Sequence, residues 1–200
     1  MEESYLPCIR EKDCFGKIVQ QTGPYSKLAT GSRHTVLLRV DGTVIAKGLN
    51  EDKQLDVPPL DGDLRYTQVA AGEAHTVVLR SDGTAAAYGS NDYGQCDLPS
   101  LDHCLSYTQV AAGSLHTVLL RSDGKVVICG QPYGRILCFS VDSGLPYVQV
   151  AAGGHRTVFL RSDGKAVALK KRNPGRRSSF VGEDETLNHF VSIASKSSRK

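Results

Sequence analysis

Three histidine–threonine pairs, His34-Thr35, His75-Thr76 and His116-Thr117, recur at intervals of 41 residues in a chain of 200. A histidine base beside a hydroxyl is the pairing that nucleophilic catalysis uses. Its setting here argues against that use. Neighbours on a strand project to opposite faces. Groups repeated once per structural unit are spread apart rather than gathered, and no unique third group is placed to orient the base. The histidines are therefore expected to be half-buried spacers, each donating a hydrogen bond that ties one repeated unit to the next. Arg39, Arg80, Arg121 and Arg161, at equivalent places before the turns, read as surface charges at hairpin ends.

The elements that carry these pairs follow from aligning four copies. They are "YSKLATGSRHTVLLRVDGTVIAKG" from Tyr25, "YTQVAAGEAHTVVLRSDGTAAAYG" from Tyr66, "YTQVAAGSLHTVLLRSDGKVVICG" from Tyr107 and "YVQVAAGGHRTVFLRSDGKAVALK" from Tyr147. In each copy a run ending in small residues leads to Gly31, Gly72, Gly113 or Gly153, where another backbone can come close. A β-branched and leucine-rich run then follows at strand length. Asp41-Gly42, Asp82-Gly83, Asp123-Gly124 and Asp163-Gly164 are expected to be the central residues of two-residue type I′ hairpins, since both residue types tolerate positive φ. Each unit thus reads as about three short antiparallel strands. A sheet this small cannot cover both of its faces, and stacking sheets at a period near forty residues is the pattern of propeller blades. Gly and Asp-Gly within the period exclude helical repeats. The fold class is all-β, a β-propeller-type repeat of four blades.

The expected organisation is an N-terminal lead-in (1–24), the repeat array (25–170) and a disordered basic tail (171–200). From Lys170 onward the chain has eight Lys and Arg against three acids, and the remainder has sixteen against eighteen, so a mildly acidic body carries a basic end. Lys170, Lys171, Arg172, Arg176 and Arg177 suit a nuclear-import or weak nucleic-acid contact. Ser178 and Ser179 after the paired arginines suit a basophilic kinase. No apolar run is long enough for a membrane helix, and the start has no apolar core of a secretory signal. The six cysteines (8, 14, 96, 104, 129 and 138) show no paired spacing. They read as reduced thiols of a cytoplasmic or nuclear protein rather than disulfides or a zinc site. No metal or cofactor is expected.

The pattern A-A-G-x-x-H-T-V-x-L-x-S-D-G, completed by "SNDYGQC" (90–96), resembles the repeat of the regulator of chromosome condensation family over about residues 25–170. "LNEDKQL" keeps Asn50 and Gln54 but has Lys53 in place of glycine. The short period is similar to that of the compact-bladed bacterial β-lactamase-inhibitor protein of this type. The resemblance implies a propeller, usually of seven blades. Here there are four copies, and the last has Arg156 in place of the histidine and Lys170 in place of the closing glycine. An open arc, a strained small ring and a piece of a longer product are all consistent with that. An open arc exposes strand edges and faces, so self-association is expected.

Function in a repeat protein sits more often in what does not repeat. The connectors are 49–65, 90–106 and 131–146, of which the first two are acidic and the third carries an apolar stretch in a loop. Tyr93, Tyr133, Arg135 and Phe139 are the candidate partner contacts. The resemblance implies a non-enzymatic protein-interaction module. The alternative it implies is a regulatory or adaptor piece of a small-GTPase exchange factor or a HECT-type ubiquitin ligase system. The connectors lack long insertions of the kind exchange requires, and the tail leaves no room for a ligase domain. Light sensing of the kind this fold performs in plants needs tryptophans, and the chain has none.

Overall fold

The structure, a computed structural model, describes residues 10–12, 18–20, 24–102, 104–131, 137–141, 144–169 and 181–183. Tyr133, Arg135, Lys170, Lys171, Arg172, Arg176, Arg177, Ser178 and Ser179 lie outside them, as does the side chain of Phe139. The described elements are all strands. A short hairpin, β1 (Arg10–Lys12) with β2 (Ile18–Gln20), precedes four sheets. The first is β3 (Tyr25–Thr30), β4 (His34–Arg39) and β5 (Val44–Gly48). The second is β6 (Tyr66–Ala71), β7 (His75–Arg80) and β8 (Ala85–Gly89). The third is β9 (Tyr107–Ala112), β10 (His116–Arg121), β11 (Val126–Gly130) and β12 (Leu137–Val141). The fourth is β13 (Tyr147–Gly153), β14 (Arg156–Arg161), β15 (Ala166–Leu169) and β16 (Val181–Glu183). Each is an antiparallel meander in chain order.

Two sequence expectations need correction. The third and fourth sheets have four strands. Connector 131–146 is not loop throughout, because Leu137–Val141 pairs along β11, with Phe139 opposite Ile128. Val181–Glu183 likewise pairs with β15. The hairpins are not type I′. The amide of Gly42 donates to Arg39 O at 3.0 Å, which makes Val40 and Asp41 the central pair, and only Gly42 (φ 84°) takes positive φ. Gly83, Gly124 and Gly164 repeat this at 83°, 78° and 83°. The cause is local. Asp41 Oδ1 accepts from the amide of Thr43 at 2.9 Å and from its hydroxyl at 2.7 Å, which holds the aspartate in a type I turn and leaves the left-handed position to glycine.

The core lies between sheets. On the third sheet Val118, Leu120, Val126 and Ile128 face Tyr147, Val150, Phe159, Val167 and Leu169 of the fourth. The same positions pack the second sheet on the third and the first on the second. The first strands β3, β6, β9 and β13 pack successively against one another and line the inner side. The arc is open rather than a small closed ring. Leu28 on the first sheet is 69% exposed, whereas Val110 and Val150, its equivalents on the third and fourth, are 7% and 3% exposed. The third and fourth tyrosines, Tyr107 and Tyr147, are buried like Tyr66, but Tyr25 is only half-buried.

Candidate functional site

The structure brings each histidine to a threonine, but not to its sequence neighbour. His34 Nε2 lies 2.8 Å from Thr76 Oγ1, His75 Nε2 3.1 Å from Thr117 Oγ1 and His116 Nε2 2.8 Å from Thr157 Oγ1, each one sheet further on. Thr76 Oγ1 donates to Gln54 O and Thr117 Oγ1 to Gln95 O at 2.6 and 2.7 Å. With the hydroxyl proton committed to a carbonyl, the hydroxyl accepts from imidazole, which assigns the proton to Nε2. The three histidines are 0–4% exposed, deeper than the half-buried spacers expected from sequence. Burial lowers the pKa of all three, to about 4 for His75 and His116, with a smaller push from His116 and His34 on His75 and from His155 on His116. The geometry therefore offers a donor where a catalytic base would need a lone pair, and Thr76, Thr117 and Thr157 are themselves buried. Thr117→Val leaves the His75 donor and the Gln95 carbonyl buried and unpaired. It is expected to cost roughly 2 kcal/mol, checked by urea unfolding.

Glycine makes room for these rings. A Cβ on Gly72 or Gly113 would overlap the imidazole of His75 or His116, and one on Gly31 would overlap Gly72 O. The backbones then meet across the sheets, Ser32 N to Gly72 O at 3.2 Å and Ser114 N to Gly154 O at 2.7 Å. At the other end Gly42, Gly83 and Gly124 each accept from the amide of the next sheet's starting tyrosine, at 3.0, 2.8 and 2.8 Å.

Several structural roles escaped the sequence reading. Gln68 and Gln109 reach the next inner strand, Gln68 Nε2 to Thr108 O at 2.7 Å and Gln109 Oε1 from Val150 N at 2.8 Å. A register shift at the preceding residue re-aims each side chain. The signal was present: Gln recurs two places after Tyr66, Tyr107 and Tyr147. Gln54 and Gln95 are buried, and their side-chain oxygens accept from the amides of Asp52 and Tyr93 at 3.0 Å. Asn50 and Asn91 close the same loops onto Asp56 and Asp97. Lys53 holds φ 66° where the next connector has Gly94 at 73°. Lys53→Gly removes a left-handed strain of ~1 kcal/mol but loosens the unfolded chain, so a net gain of a few tenths is expected in thermal unfolding.

Much of each acidic connector is thus committed to folding. What remains exposed on the connectors is an acidic set, with Asp102 one period after Asp61. Asp61, Asp63, Asp92 and Asp102 are exposed and Tyr93 half-buried. Arg33 sits between Glu51 and Glu73 at 4.0 and 3.7 Å. At the turns, Arg121 and Arg161 are not free surface charges but fork onto Asp123 and Asp163, and the Arg161 hydrogen bonds lead in drawing the Asp163 carboxyl down to about 2. The inner strands enclose an open trough of about 540 Å³ lined by the small residues of all four sheets. Cys96 is a poor nucleophile, since burial, then Asp97, pushes its thiol up to about 12. Among the described residues no three His, Cys, Asp or Glu side chains gather as a metal site, and no helix is long and apolar enough to cross a membrane.

The model of the family described as "Regulator of chromosome condensation (RCC1) repeat" matches residues 66–95 and 107–133, the second and third copies. No curated protein matches the chain. Among solved structures, human WBSCR16 superposes with a TM-score of 0.67 at 23% identity, covering 82% of this chain and 54% of that one. Prp20p from Saccharomyces cerevisiae gives 0.62 at 23% identity, covering 77% and 47%. The ectodomain of the Physcomitrella patens receptor kinase CR4 gives 0.57 at 20%, covering 72% and 40%. The chain therefore spans about half the length of the solved propellers it is similar to. With the two matches in register with the second and third sheets, residues 66–95 and 107–133 are regulator of chromosome condensation repeats, set in a partial β-propeller whose fold is similar to that of Prp20p.

Proposed function

We propose that the chain is a non-enzymatic protein-interaction module whose contact surface is the rim formed by its connectors. The observation that carries this reading is the use made of the repeated polar residues. His34, His75 and His116, with Thr76, Thr117 and Thr157, are buried in pairs between sheets. The acidic side chains of the first two connectors and Tyr93 are what a partner would meet, which favours a basic face on that partner. Tyr133, Arg135 and Phe139 of the third connector extend the candidate contact.

The fold likeness to Prp20p favours a second reading, a regulatory piece of a small-GTPase system. That yeast protein is described with binding properties to Gsp1p and histones, and in complex with Kap60. Both readings involve protein partners. Affinity capture with the full chain, repeated with Asp61→Ala, Asp63→Ala and Tyr93→Ala combined, separates them. A partner whose recovery falls at least tenfold with the rim variant supports the module. Acceleration of nucleotide release from a small GTPase supports the second reading. Capture that is unchanged by the rim variant contradicts contact through the rim.

A further inference from the structure

The two end sheets of the arc carry the two halves of one interface. At each internal junction, the face of one sheet turned toward the next presents a valine and a leucine from its second strand. Val36, Val77 and Val118 are 0% exposed there, and Leu38, Leu79 and Leu120 are 2–5% exposed. The receiving sheet answers with its tyrosine and a branched residue of its inner strand. The fourth sheet has the first half of this pattern with no further sheet against it among the described residues. Its Val158 and Leu160, at the same positions, are only half-buried, and Ala151 is exposed although its equivalent Ala70 is 9% exposed under the third sheet. Gln149 is also exposed, at the position where Gln68 and Gln109 grip the next inner strand. The first sheet has the second half: half-buried Tyr25, Leu28 at 69% exposure and half-buried Thr35, whose equivalents Thr76, Thr117 and Thr157 receive a histidine.

We propose that these faces pair between two copies of the chain, the fourth sheet of one against the first sheet of the other. Three features commit the occupant to a second copy. The covering surface must match Leu28 and Tyr25 as Val118 and Leu120 match Val150 and Tyr147, and the fourth sheet of this same chain has that shape. Gln149 stands ready for the inner-strand backbone at Ser26 and Leu28, as Gln68 does for Thr108 O and Val110 N. Arg156, in the histidine position, retains a donor for Thr35 Oγ1. The contact is head-to-tail, so each copy uses both of its ends. One copy supplies four such sheets. Two copies then close a ring of eight sheets, within the range propellers adopt, rather than an open filament. This pairing concerns the ends of the arc and does not rest on the rim contact proposed above.

The test is sedimentation equilibrium of the full chain across a wide concentration range. It is run on the wild type, on Leu28→Glu, on Ala151→Glu and on an equimolar mixture of the two variants. Both substituted positions are exposed in the single chain, so folding is retained and is checked by circular dichroism. The pairing predicts twice the chain mass for the wild type and a dissociation constant raised about a hundredfold or more for either variant alone. It further predicts partial recovery of the dimer in the mixture, where the intact fourth sheet of one variant meets the intact first sheet of the other. A wild-type monomer throughout overturns it. A face-to-face dimer, broken by Leu28→Glu, untouched by Ala151→Glu and not restored by mixing, overturns it as well.

Discussion

Acidification from pH 7 to pH 4 is expected to cost the fold on the order of 6 kcal/mol through two imidazoles alone, His75 and His116. In the unfolded chain each takes up a proton near 6.5, whereas burial delays uptake in the folded chain to about 4. Between those values the unfolded state binds more protons, so stability rises with pH in that window. It is fully present above 6.5 and is lost as pH falls toward 4. Each histidine contributes on the order of 3 kcal/mol, since a shift of one unit corresponds to about 1.4 kcal/mol. The carboxyls of Asp41, Asp82 and Asp163 are held below their ordinary value by their turn hydrogen bonds, to Thr43, Thr84 and Arg161 first. Their contribution is lost only below about 3.8, outside this window. Urea unfolding at several pH values between 4.5 and 7 reads the slope. His116→Gln should flatten it by about half, and an unchanged slope would remove the histidine as its source.

Gly113→Ala carries the next largest effect, a loss of roughly 3 to 4 kcal/mol, with a strain component of the size that overpacking brings. The added methyl would fall on the His116 ring and within 2.7 Å of Gly154 O, and backbone from the neighbouring sheet cannot swing aside as a flexible side chain can. Relief requires the ring to leave, which breaks its bond to Thr157. Gly153→Ala is the control, because nothing lies near a Cβ at that position. Thermal unfolding should show a large drop for the first substitution and little change for the second. Equal drops would mean that the penalty comes from glycine's backbone freedom and not from the junction.

The repeat made the sheets legible because every unit meets the same neighbour and so needs the same residues. Tyr66, Gly72, His75 and Asp82-Gly83 each return one period later with the same contacts. The hairpin type was misread because Asp-Gly suits two turns. The aspartate's hydrogen bonds to Thr43 and Thr84, which decide between them, involve the residue after the pair. The extra strands were hidden for another reason. Leu137–Val141 has strand composition, but its place along β11 depends on a tertiary edge left open by the third sheet, which local pattern does not encode. The threonine partner of each histidine was also hidden, lying 41 or 42 residues away rather than alongside. Partner contacts are the least legible, because Tyr93 belongs to a surface that each unit varies and no repeat constrains.

The most direct test of the wall that these histidines build is a long-range proton–nitrogen correlation spectrum of the imidazoles, recorded from pH 7 down to the onset of unfolding. The structure predicts that His75 carries its proton on Nε2, that His75 and His116 stay neutral until about pH 4, and that they shift when Thr117 or Thr157 is replaced by valine. Titration near 6.5, or a proton on Nδ1 of His75, would contradict the inter-sheet bonds and return these histidines to the list of groups free for chemistry.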